Sequence, residues 1–442
     1  MWLYSNSRAF HRFLRGICLV VSILILLGCS TASKKGGGQR RHKKISYDDR
    51  DAVILYLNEG LRLHYAGNFK ESNLNLEKAE AKMEDLYTES ISKKAASLMI
   101  NDYTTPYRGE DFENVMTNLF MSLNYIFLEK GDDALVEARK VDNKLNVINA
   151  RYEPDKKNVY TEDAFVRLIM GLLYEAENEM NEAFVSYRKA EEIYDTYENL
   201  YGVPAPGILL AKLVNPTSAI LFEDELKCYR DKYPHIKPVA IRQSSQSGEV
   251  FFFHYNGLCP RKMEDALYVP MPDGYLFKIA VPRFKRRRYS IEKCEIVLRS
   301  KEGGKDYRIR TEVGEDIGSI AIQNLKNRMA RIKAKAIARA TAKYLATRAV
   351  GKVVKDEAGE NWAWFVRSIM NFFATVTERA DLRSCDILPD RIDVGHVEVP
   401  PGTYTVNINT QDASGNAIGH IHLPDIHVKA GQKRFVSFRT TR

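Results

Sequence analysis

The chain lacks the local signatures of catalysis. It contains no H-E-x-x-H, no G-x-S-x-G and no G-x-x-x-x-G-K-[ST], so zinc-protease chemistry, the serine elbow and the phosphate loop are not written in it. Cysteine is scarce, with six in 442 residues, and no two stand as CxxC, which argues against a structural zinc. The N-terminal segment carries Arg8, Arg12 and Arg15 and no acid. The apolar run behind it, Ile17 to Leu27, is only eleven residues long. A spanning helix needs about 20 apolar residues, so this run is too short to be a membrane span.

What is there is the end of that run, Leu26-Leu27-Gly28-Cys29. A basic start, a short apolar core and a small residue before a cysteine form a lipoprotein export signal, with cleavage leaving Cys29 as the lipid-bearing first residue. Ser30 rather than Asp after that cysteine favours the outer membrane, with the body facing the periplasm. Loss of the leader takes the formal charge of +9 down to +6 and removes Cys18. That balance is modest, and outside the cytosol it does not call for nucleic acid. Residues 29–46 form a basic, Gly-rich linker whose Lys34, Lys35, Arg40, Arg41, Lys43 and Lys44 either rest on anionic head groups or are simply solvated. Cys228, Cys259, Cys294 and Cys385 then stand in an oxidising compartment, as free buried thiols or with one disulfide whose pairing the sequence leaves open.

From 47 to 235 apolar residues return at three and four, a helical period. Gly60, Leu63, Gly67, Phe69, Ser72, Leu76 and Ala79 share their spacing with Gly171, Tyr174, Asn178, Met180, Ala183, Tyr187 and Ala190. A degenerate copy with a shorter turn is expected between them, from Leu119 through Tyr125 and Gly131 to Val141. The pattern resembles the tetratricopeptide repeat, which implies stacked helical hairpins in a curved α-solenoid whose inner face meets a protein partner. On that resemblance His64, Tyr65 and Glu175 are the candidate partner contacts.

After Pro234 and Pro238 the pattern changes to short strands: Val250–His254, Leu276–Val281, Cys294–Leu298, Tyr307–Arg310, then alternation through Tyr404, Val406 and Ile408, and on to Ile421, Leu423, Val436 and Phe438. These predict a small antiparallel β-sandwich over 236–442, interrupted at 315–380 by a helical hairpin. Its first helix repeats alanine every four residues from Ala330 to Ala346 among many basic residues. The second carries Trp362, Trp364, Phe365, Phe372 and Phe373. The bland expectation is that these aromatics pack onto the body. The sharper one is a membrane-facing or assembly-forming hairpin. The fold class expected is therefore α+β and multidomain.

Asn101-Asp102-Tyr103, Asp111-Phe112-Glu113, Gly171 to Glu175, Asn256-Gly257-Leu258 and Ala380 to Ser384 together resemble a family of uncharacterised bacterial lipoproteins with a tetratricopeptide-like N-terminal half. The resemblance implies an architecture and no reaction, and Cys385 departs from it where an aromatic residue is expected. Remaining candidates for chemistry are thin. Ser90 and Lys93 have S-x-x-K spacing without the K-T-G that accompanies it, Asp132 and Asp133 suit a helix start, and His420, His422, Asp425 and His427 read as a surface strand before they read as a metal site. The expectation is a lipid-anchored envelope scaffold, with no enzymatic activity, cofactor or metal. A membrane-interacting or secretion-assembly component, and an envelope enzyme without a recognisable motif, are the alternatives.

Overall fold

The computed structural model of the chain describes residues 45–92, 102–150, 159–215, 223–236 and 247–441. The leader, Cys29 and the basic linker as far as Lys44 lie outside the described residues, as does Lys93. Among the described residues the architecture is mixed α/β, with ten α-helices and three small sheets, none of them closed into a barrel.

The helical half is built from hairpins: α1 (Ala52–Tyr65) with α2 (Phe69–Ser92), α3 (Asp111–Phe127) with α4 (Gly131–Asn149), and α5 (Ala164–Ala176) with α6 (Met180–Tyr201). Two shorter helices follow, α7 (Gly207–Val214) and α8 (Glu223–Lys232). Each hairpin turns on one residue in the left-handed region, Gly67 (φ 77°), Glu129 (φ 58°) and Asn178 (φ 64°). Each closes with the same bond from the next amide to the carbonyl five residues back, Asn68 to Leu63 (2.9 Å), Lys130 to Tyr125 (2.9 Å) and Glu179 to Tyr174 (2.8 Å).

Aligned on that turn, Ser122 stands where Gly60 and Gly171 stand. The middle copy therefore begins at Ser122 and keeps the offsets of the other two, and the shorter turn expected from Leu119 does not exist. The position demands a small residue because the second helix crosses directly over it. A Cβ at Gly171 would lie 2.3 Å from the Tyr187 ring, and one at Gly60 would lie 2.7 Å from Leu76.

Two four-stranded sheets follow. The first runs in the order β10 (Lys433–Thr440), β1 (Gly248–Asn256), β7 (Arg391–Val399), β6 (Glu312–Glu315), with β10 parallel to β1 and the other pairs antiparallel. The second is antiparallel throughout, in the order β5 (Tyr307–Arg310), β4 (Lys293–Ser300), β8 (Gly402–Gln411), β9 (Ala417–Val428). Strand β1 decides how the halves meet. Its even-numbered Val250 and Phe252 enter a core shared with Ile296, Leu298, Val406, Ile408 and Val428 of the second sheet. Its odd-numbered Phe251, Phe253 and Tyr255 enter the core of the helical half. Alternate side chains of a strand point to opposite faces, so a strand apolar at nearly every position is one covered on both sides. Burying each such aromatic contributes roughly 1.5–3 kcal/mol, and one continuous core joins the repeats to the first sheet.

A third element projects from this body. Strands β2 (Arg261–Pro270) and β3 (Leu276–Lys285) form a two-stranded ribbon against α9 (Ile317–Ala358) and α10 (Glu360–Thr377). The alanine row of α9 is not the surface that packs. Ala334, Ala338 and Ala346 are exposed, and Ala336, Ala340, Thr347 and Gly351 are buried instead. The reason is geometric: at 3.6 residues per turn, a four-residue spacing drifts about 40° per step, so five alanines wind through roughly 160° of the helix. The four buried residues stay within about 60°. The four cysteines among the described residues form no disulfide, with Cys228 exposed and Cys259, Cys294 and Cys385 buried.

Candidate functional site

The three candidate contacts all lie on the side of the helical hairpins that the chain's own C-terminal half covers. His64 is 2% exposed. Its Nδ1–H donates to Asn124 Oδ1 (2.6 Å), an arrangement set by the Asn124 amide, whose nitrogen already donates to Ser72 and Asn73. The Phe120 and Tyr255 rings stand 4.9 and 5.1 Å away, and burial lowers the imidazole pKa to about 4. Tyr65 donates to the Ile387 carbonyl (3.3 Å) and carries the Arg439 guanidinium 3.6 Å above its ring. Glu175 accepts from Tyr187 (2.6 Å), Lys212 (2.8 Å) and Lys433 (2.9 Å). The two lysines also meet Glu249, which His396 joins at 2.7 Å. Burial pushes the Glu175 carboxyl up, but the two lysines outweigh it and hold it below the ordinary carboxylate range. A partner reaching any of the three would have to displace the first sheet.

The strongest catalytic-looking constellation is one that sequence reading missed. His254 of β1, Cys294 of β4 and Asp393 of β7 converge inside the sheets, with Asp393 Oδ2 3.1 Å and Cys294 Sγ 3.6 Å from the imidazole. Both contacts fall on the same nitrogen, Nδ1, while Nε2 faces Thr440 (2.8 Å). A nucleophile–base relay needs acid and nucleophile on opposite ring nitrogens, and His254 is fully buried. Burial raises the Cys294 thiol pKa to about 12, far from a reactive thiolate. The cluster satisfies polar groups inside a core and is closed to substrate.

The other candidates are dispersed. His420 and His422 each face an asparagine of β8, Asn409 and Asn407 (3.0 Å each), His427 faces Thr403, and Asp425 pairs with Lys301. Among the described residues no three His, Cys, Asp or Glu side chains converge as a metal site would require. Asp132 and Asp133 open α4, where carboxylates complement the helix dipole. A cleft of about 240 Å³ borders α6, but its Lys189 is neutralised by Glu162 (3.2 Å) and Glu192 (3.4 Å). Behind it, burial keeps the Glu315 carboxyl well above its usual range and brings Asp163 up to about 6.

Among the described residues a large exposed apolar surface lies on the projecting arm. Its base is locked. Arg339 and Glu378 form a buried two-pronged ion pair (2.9 and 2.6 Å), joined by Lys343 (2.7 Å), while Arg328 and Lys262 both meet Glu110 at the start of α3. Along α10 the packed side is small or polar. Ala363 is the one buried residue of the helix, a Cβ at Gly351 of α9 would lie 2.6 Å from the Arg367 stem, and Asn371 and Thr375 bond Leu276 of the ribbon (3.2 and 3.3 Å).

The opposite side of α10 carries Trp362, Phe365, Ile369, Phe372 and Val376, spaced three and four apart, with Phe373 beside them. Five of these six are 42–65% exposed. The expectation that the aromatics bury themselves against the body is therefore reversed. The helix turns its small side inward, because Gly351 and the ribbon admit only that side, and its apolar stripe faces out. Stripes of this width ordinarily face a core. Leu267, Tyr268 and Val269 of the ribbon are exposed as well.

Compared with protein-family models, curated proteins and solved structures, the chain matches none, so the surface is read from its own chemistry.

Proposed function

We propose that the protein is a lipid-anchored component of the cell envelope, held by Cys29 at the outer membrane and facing the periplasm, whose projecting arm is the element that engages a target. In this reading the hairpins form a tetratricopeptide-like α-solenoid and the two four-stranded sheets a β-sandwich. The solenoid cradles the sandwich, and its inner face serves as a structural seam. The observation that carries the reading is the outward apolar stripe of α10 on a hairpin whose base is fixed by buried ion pairs. An exposed apolar patch on an otherwise well-packed body marks an interaction site. No reaction is assigned, since the His254, Asp393 and Cys294 cluster is sealed and both its acid and its thiol meet a single nitrogen.

A protein partner bound by the repeats is the second reading, and one observation favours it. Leu74, Val136 and Val185 occupy the same position of the three hairpins, and all are about half exposed (56%, 50% and 48%). They offer an aliphatic row on the second helices, outside the seam.

The tether is tested by Cys29→Ala in cells fed a labelled fatty acid. The substituted protein is expected to lose both the label and its place in the membrane fraction. Retention of the label, or recovery of unprocessed wild-type chain from the cytosol, removes the reading.

A further inference from the structure

We infer that the α9–α10 arm docks on an anionic phospholipid surface, with the aromatic stripe of α10 seated at the boundary between head groups and acyl chains. The inference rests on the tether reading and names what the arm engages.

The charge of the chain is not spread over it. Residues 317–377 hold eleven Lys and Arg against three acids, a net +8, whereas the whole chain is only +9. Arg328, Arg339 and Lys343 are consumed by the ion pairs at the base. Lys326, Lys333 and Lys352 are exposed, as are Arg348 and Lys355, which lie beside Asp273 (3.8 Å) and Glu360 (2.7 Å). A strongly basic helix beside a Trp- and Phe-bearing one is the composition of helices that lie in a membrane interface, where apolar burial and attraction to anionic lipid act together. The same charge opposes a second copy of the arm as the occupant, because two such surfaces brought together repel.

The position of the tether agrees. Arg383, just beyond α10, pairs with Asp51 at the start of α1 (2.9 Å), so the described chain begins beside the base of the arm. From Cys29 to Ile45 is 16 residues, a reach of at most about 55 Å. The arm thus sits within range of the bilayer that holds the lipid. Among the described residues no helix is long and apolar enough to cross that bilayer, so the contact is one of lying on the surface.

The sequence supplies its own reporter. Of three tryptophans, Trp2 leaves with the leader, and Trp362 and Trp364 are both on α10. The test uses the full chain from Ser30 onward, without the acyl group, mixed with vesicles of phosphatidylglycerol and phosphatidylethanolamine or of phosphatidylcholine alone. The expected result is flotation with the anionic vesicles only, a blue-shifted tryptophan emission, and release by salt.

Combining Phe365→Ser, Phe372→Ser and Phe373→Ser is expected to lower partitioning by tenfold or more with the unfolding midpoint unmoved, since the removed rings are exposed. Combining Lys333→Glu and Lys352→Glu is expected to lower it while leaving binding less sensitive to salt. No flotation and no emission shift with anionic vesicles overturns the inference. A blue-shifted emission without lipid, together with a dimeric mass in sedimentation, overturns it in favour of a seam between copies. Either failure leaves the Cys29 tether standing, because this chain carries no acyl group.

Discussion

Replacing Glu175 by alanine separates a structural role for this side of the helical hairpins from a partner-binding one. Glu175 is a buried carboxylate that accepts from Tyr187, Lys212 and Lys433 (2.6, 2.8 and 2.9 Å) and so joins α5, α6, α7 and β10. Removing it leaves two largely buried ammonium groups, 14% and 9% exposed at the side chain, sharing Glu249 as their remaining carboxylate, with the Tyr187 hydroxyl unpaired. Removing one member of a buried ion pair costs about 3–5 kcal/mol, against about 0.5 kcal/mol or less at an ordinary surface site. The lower end is expected here, since Glu249 still shields both lysines. Urea unfolding at neutral pH is the assay, the expectation being a lower midpoint with an unchanged slope. Adding Lys433→Met returns the network to one lysine and one carboxylate, so the double variant is expected to recover part of the loss. A midpoint unmoved by Glu175→Ala, in a protein that has lost a binding partner, would refute the seam and restore Glu175 as a contact residue.

Four other outcomes follow from the same geometry. The His64 pKa falls from 6.5 to about 4 on folding, so protonation is opposed only in the folded state; its share of stability is full above pH 6.5 and is lost as pH drops toward 4. This amounts to about 3 kcal/mol, and His64→Gln should flatten the unfolding midpoint across that window. Gly171→Ala forces a Cβ against the rigid Tyr187 ring and is expected to cost about 1–3 kcal/mol, more than Gly60→Ala, where the flexible Leu76 can yield; thermal melts rank the two. In the chain from Ser30 onward a thiol reagent should modify Cys228 in the folded protein and the other three cysteines only on unfolding. Phe372→Ser alone should leave stability within about 0.5 kcal/mol of wild type, because that ring is 65% exposed, and a larger loss by urea titration would mean that α10 packs against the body after all.

Legibility followed the range of the interaction. The hairpins could be read because the constraint is local: one residue must be small where the next helix crosses, and another must turn at positive φ. Even so, the middle copy was placed three residues early, since Ser122 and Glu129 fill those positions without glycine, and only the dihedral angle identifies them. Strands β1, β3, β4 and β5 stand where short apolar segments place them and β8 where alternation does, whereas β2, β6 and β7 were missed. The ribbon strand β2 is exposed nearly along its length and has no buried face to write a pattern, and β6 is four residues long. Nothing local linked His254, Cys294 and Asp393, which come from three strands.

By itself the sequence determined the basic, acid-free start and the short apolar run ending at Cys29, the helical period, the repeated turn, the basic character of 317–377 and the density of aromatics in 362–373, all properties of neighbouring residues. Tertiary structure alone decided which of two apolar surfaces would be covered. Phe251, Phe253 and Tyr255 of β1 pack into the core of the helical hairpins, so His64, Tyr65 and Glu175 became seam residues. Gly351 and the β2–β3 ribbon accept only the small side of α10, so its aromatic stripe was left outside. An apolar side chain states that it leaves water, and only the packing of distant segments settles whether the chain's own body or another surface receives it.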